Sequence, residues 1–125
     1  MSLAVDVFVR APDGTRRVLD VPEGCQDAAG FESWRTTVWG SEPVRSLGAR
    51  FFPALADGDL EVEAGQVHEF LREIALLRAH LDPLAYSTEH PRTIEEHRQQ
   101  IGERLRIIEE AALRALLAGG GVLIW

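Results

Sequence analysis

Four histidines, His68, His80, His90 and His97, one cysteine, Cys25, and a run of carboxylates at Asp57, Asp59, Glu61 and Glu63 are the residues of this 125-residue chain suited by type to catalysis or metal binding. Their spacing decides against most of that chemistry. "HEFLRE" at residues 68 to 73 opens like the zinc helix H-E-x-x-H, but Arg72 stands where the second histidine belongs. His68 and His80 fall about 120° apart around a helix, which gives them no common face. His90 and His97, with Glu89 and Glu96 beside them, are the one pair that a loop and a helix start bring into reach. "DGDLEVE" begins with the alternating acids of a calcium loop, yet Val62 takes the sixth position, where glycine makes the turn, and His68 the twelfth, where glutamate ligates. A turn at Asp57-Gly58 accounts for it better, and no metal site is expected.

Glu61 and Glu63 share one side of an extended strand, roughly 7 Å apart. Paired carboxylates can divide acid and base work, but an exposed strand face explains them without a pocket. Cys25 sits between Glu23 and Asp27 and lacks the cationic neighbours that activate a thiol. With a single cysteine there is no internal disulfide. With no lysine there is no Schiff base and no P-loop lysine. Gly119 to Gly121 follow a helix instead of leading into one, the wrong context for a phosphate cradle. No catalytic array and no cofactor motif emerges.

Binding is the better prospect. "GFESWRTTVWG" sets Trp34 and Trp39 five residues apart, about 140° on an α-helix and on opposite faces of a strand, so one regular element does not present both. Trp34 aligns with Phe31 and Val38 and reads as core. Trp39, next to Gly40 and with Arg35 nearby, reads as a contact residue. The second candidate surface is electrostatic: between Arg50 and Arg72 the chain has five acids, Asp57, Asp59, Glu61, Glu63 and Glu69, and no basic residue. A basic partner would find its complement there.

The elements that must position these residues follow from periodicity. Leu3, Val5, Val7 and Val9 alternate with Ala4, Asp6, Phe8 and Arg10, a strand with one buried face. Pro12-Asp13-Gly14 supplies a turn, and a second strand returns over residues 16 to 21. Asp27 is placed to cap a helix to about Val38, and Ser41 a short one with Pro43 in its first turn, ending at Gly48. A third strand is expected at about 59 to 63. Val67, Phe70, Leu71, Ile74, Leu77 and Leu81 mark an amphipathic helix over about 65 to 81, stopped at Asp82-Pro83. Thr93 and Glu96 form a capping box opening a helix over 94 to 118, with Ile94, Ile101, Leu105, Ile108 and Ala112 inward, a Glu110–Arg114 pair and Gly119 beyond its end. Val122-Leu123-Ile124-Trp125 reads as a buried strand. The sum is a single α+β domain over 1 to 125: a small, mostly antiparallel sheet from the N-terminal hairpin, a short middle strand and the C-terminal strand, packed on two long antiparallel helices.

At 46% hydrophobic and 26% charged residues the chain has the makeup of a folded soluble domain. It has no apolar run of the roughly 20 residues that span a bilayer and no signal-like start, so a cytoplasmic location is expected and a membrane is not. Thirteen arginines without lysine or asparagine suggest codon bias from a GC-rich bacterial genome. A net charge of −7 disfavours nucleic acid. The expectation is a non-catalytic interaction domain for another protein, a basic one fitting its charge, with an immunity-type inhibitor of a basic toxin as one version. Two alternatives remain: a small-molecule-binding domain or minor enzyme with a pocket lined by Trp34, Phe51, Phe52 and Tyr86, and a homodimer.

Overall fold

The computed structural model describes residues 2–86 and 93–125. It is an α+β fold built on one long strand. β1 (Ser2–Arg10) forms the predicted hairpin with β2 (Arg16–Val18), and the C-terminal strand β5 (Gly121–Ile124) lies antiparallel on its other edge, followed by β4 (Leu60–Val62). β1 is longer than β2, and the edge left open is filled by β3 (Ala28–Phe31), which pairs with Ser2 to Ala4. Strand order is therefore β2-β1-β5-β4, with β3 beside β2 on the same edge of β1.

β3 corrects the helix expected from Asp27. "AAGF" has no alternation to mark a strand, and its pairing is supplied from outside: Val5 donates its N–H to the Asp27 carbonyl at 2.8 Å. Chain after β3 winds into a single π turn over Arg35–Trp39, closed by the Gly40 N–H on the Arg35 carbonyl at 2.9 Å. α1 (Glu42–Ser46) starts after Ser41 with Pro43 in its first turn, as read from the sequence. A 3₁₀ turn over Phe52–Ala56 leads to β4.

α2 (Val67–Ala79) follows β4, and Val67, Phe70, Ile74 and Leu77 are fully buried. Asp82-Pro83 does not end the helical region. The helix breaks at His80, and α3 (Leu81–Tyr86) begins directly after it, with Pro83 in its first turn, where the missing N–H costs no hydrogen bond. α4 (Ile94–Ala118) has the predicted bounds. Thr93 Oγ1 accepts from the Glu96 N–H at 3.2 Å, and Gly119 closes the helix with φ 68°. Arg78 of α2 pairs with Glu109 at 3.0 Å and Leu81, the first residue of α3, lies against Gly102, so the chain from α2 into α3 runs opposite to α4.

α4 packs on β1, β3 and β5, and both α2 and α3 pack on α4. The core is made by Leu3, Val5 and Val7 of β1, Leu60 and Val62 of β4, Val122 and Ile124 of β5, and Ile101, Leu105, Ile108 and Ala112 of α4. Ile94 is the exception on the predicted stripe. It stands at the helix start and remains exposed. No described helix is long and apolar enough to cross a membrane.

Candidate functional site

The two tryptophans meet. Trp34 immediately precedes the π turn and Trp39 is its last residue, and hydrogen bonds from i to i+5 bring residues five apart back to one side. Their rings stand edge to face with centroids 5.6 Å apart. Trp39 is 0% exposed and its indole N–H donates to the Ala29 carbonyl at 3.0 Å, so its expected role as a surface contact is overturned. The 140° separation holds for an α-helix, and this stretch is not one. Two glycines make room, Gly30 for the Trp34 ring and Gly40 for the carbonyl that closes the π turn. A Cβ on Gly30 would lie 2.6 Å from the Trp34 ring, and one on Gly40 would lie 2.5 Å from the Arg35 carbonyl oxygen.

The rings continue inward. Trp39 contacts Phe52 at 4.9 Å, Phe52 stacks on Phe70 at 5.3 Å, and Phe51 meets Phe70 edge-on at 5.5 Å. Trp34, Phe51 and Phe52, expected to line a pocket, form an aromatic spine of the core instead; the Tyr86 side chain lies outside the described residues. The spine is fixed from α2 by Glu73, a buried carboxylate that sequence reading passed over. Its two oxygens accept the backbone N–H groups of Arg50, Phe51 and Phe52, the last at 2.8 Å, holding the start of the 3₁₀ turn as a capping residue would. The only sequence signal is a charged residue within the helical register of an apolar stripe.

Arg35 is also turned inward. It donates to the Gly58 carbonyl, to Glu32 at 2.6 Å and to Asp59 Oδ1 at 2.9 Å, clamping the π turn to the Asp57-Gly58 turn. Burial lowers its pKa, but the bonds to Glu32 and Asp59 outweigh that and hold the guanidinium above its ordinary value. Two of the expected partner-binding residues, Arg35 and Asp59, thus bind each other.

Glu61 and Glu63 lie on the outer face of the sheet, where β1 and β2 supply counter-charges. Arg16 reaches Glu61 at 2.7 Å, and Arg10 bonds both Glu61 and Glu63. The bond to Glu63 is the main reason that the Arg10 guanidinium is held above its ordinary pKa. The strand is acidic taken alone and nearly balanced within the sheet. The same arginines cover a small apolar layer. Arg10 and Arg16 lie 5.4 and 6.0 Å from the Phe8 ring centre, and Arg16 lies 5.8 Å from that of Trp125, whose indole donates to Asp6 at 2.9 Å. Phe8 and Leu123 are buried on this face. Asp57 remains exposed and, among the described residues, without an ion pair.

His97 is buried and meets the Trp34 ring edge to face at 5.8 Å. Its suggested partner His90 and the adjacent Glu89 lie outside the described residues. Among the described residues no group of three or more His, Cys, Asp or Glu is placed to hold a metal ion.

A feature with no sequence forewarning lies at the other end of the molecule. Leu19, Val21 and Pro22, from the segment after β2, and Leu117, from the last turn of α4, line an open groove of about 370 Å³ with Asp20 and Arg114 at its sides. Leu117 is 91% exposed and Leu113, one turn earlier, is also exposed. The expected Glu110–Arg114 pair does not form. Glu110 bonds Arg106 at 2.7 Å, and Arg106 bridges it to Glu103.

Comparison of the chain with protein-family models, with curated proteins and with solved structures gave no match.

Proposed function

We propose that the chain is a non-catalytic protein-interaction domain for a basic partner, in the manner of an immunity-type inhibitor. One observation carries the reading. β4 is the terminal strand of the sheet, and Asp57, Asp59, Glu61 and Glu63 set exposed carboxylates in and beside it on a chain of net charge −7. A terminal strand offers main-chain groups to an incoming strand, and acidic side chains steer a basic one toward it. Arg10, Arg16 and Arg35 pair with Glu63, Glu61 and Asp59, so among the described residues the unpaired carboxylate beside the strand is Asp57, on a chain of net charge −7.

Asp57→Arg tests the reading with the least disturbance, because Asp57 takes part in no ion pair among the described residues. With a partner recovered by pull-down from the source cells, the substitution is expected to slow association about tenfold at low salt and to flatten its salt dependence. An unchanged association rate, or a pull-down that retains no basic protein, would overturn it.

A further inference from the structure

The groove at the C-terminal end of α4 combines three properties that the acidic strand does not. Its lining is apolar, its rim contains Leu117 almost wholly in solvent, and Arg114 beside it is half-buried with no hydrogen bond or ion pair among the described residues. The cause of that last property is local. Glu110, the only acid within one helical turn of Arg114, is taken by Arg106, and the other neighbours at helical spacing, Ala111, Leu117 and Ala118, are apolar. A guanidinium partly withdrawn from water gains most from a carboxylate, which can accept two of its N–H groups side by side. The groove's volume lies within the range of roughly 300–1,000 Å³ typical of small-molecule sites.

We propose that this groove binds a single-chain amphipathic monocarboxylate, a medium-chain fatty acid, with its carboxylate on Arg114 and its tail along Leu19, Val21, Pro22 and Leu117. Asp20, exposed and also without an ion pair among the described residues, faces the same groove. It sets a limit of one negative charge on the ligand, since a second carboxylate would meet it. No residue of the acidic strand takes part, so the site is independent of the interaction reading above.

Titration of the ¹⁵N-labelled chain with decanoate, decanol and decyltrimethylammonium, each below its micellar concentration, tests the proposal by amide shifts. Decanoate is expected to saturate with shifts centred on residues 19 to 22 and 113 to 118, and to bind more tightly than the other two. Arg114→Gln should weaken it about tenfold or more, as expected for a lost hydrogen bond to a charged group. Arg114→Lys should restore part of the affinity, and Asp20→Asn should leave it equal or tighter. Both Arg114 variants stand on the helix surface, and their amide spectra report directly whether the fold is kept. Decanol binding as tightly as decanoate, decyltrimethylammonium binding more tightly, an unchanged affinity in Arg114→Gln, or shifts centred elsewhere would each overturn the proposal.

Discussion

Two regions of this molecule gather aromatic or apolar side chains around an arginine, and they differ in what is left unsatisfied. Around Trp39 and Arg35 the polar groups are bonded within the fold. The Trp39 indole has Ala29, Arg35 has Glu32, Gly58 and Asp59, and the rings are in contact with one another. Around Leu117 and Arg114 the leucine is exposed and the arginine is unpaired among the described residues. The region richest in binding-type residues holds the fold together, and the region that looks ordinary in the sequence has capacity to spare. Residue type alone does not separate structural from functional aromatics.

That contrast can be broken most forcefully at its structural end. Trp39→Ala removes the centre of the aromatic spine and should cost about 3–5 kcal/mol in equilibrium urea unfolding, the range for a large buried aromatic. Leu117→Ser, by contrast, should stay within about 0.5 kcal/mol of the parent chain, as surface substitutions do. Equal losses from the two would erase the distinction.

The next effect concerns Glu73. Glu73→Ala leaves three backbone N–H groups at Arg50, Phe51 and Phe52 without their acceptor and should cost about 3 kcal/mol. Glu73→Gln keeps a carbonyl acceptor and should lose less. An alanine variant as stable as the glutamine one would show that the carboxylate is not what fixes the 3₁₀ turn.

The smallest effect is in the hairpin turn. The Thr15 hydroxyl and backbone N–H both donate to Asp13 and hold its carboxyl below the usual carboxylate range. A lowered folded-state pKa means a stabilisation present above the unfolded-state value and lost as the pH falls through the folded-state value. Asp13→Asn should therefore show a slightly shallower loss of stability on the acid side than the parent, read by urea unfolding between neutral and acid pH. An acid limb unchanged by the substitution would remove Asp13 from that account.

Much of the scaffold was legible in the sequence because its signals are local. The bounds of α4 follow from Thr93, a regular apolar stripe and Gly119, and the hairpin follows from period-two alternation around Pro12-Asp13-Gly14. β3 was not legible, because its four residues are a strand only by virtue of the open edge of β1. The burial of Trp39 was missed because a π turn changes the angular arithmetic on which the two tryptophans were separated. Within the acidic strand the charges were read correctly along the chain and incompletely in space. Arg10 and Arg16 are some fifty residues away in sequence and meet Glu61 across the sheet. The groove gave no signal, since Leu19 to Pro22 and Leu117 are far apart in the chain and none of them is unusual alone.

Trp34 and Trp39 are core, and of the three tryptophans Trp125 alone is substantially exposed, at 42%. Acrylamide quenching of tryptophan fluorescence in Trp125→Phe tests it directly, with circular dichroism confirming that the fold is retained. Blue-shifted emission and little quenching are expected, the behaviour of two indoles shielded from solvent. Red-shifted emission that acrylamide still quenches strongly in the folded variant would contradict it, because Trp34 or Trp39 would then have to face water.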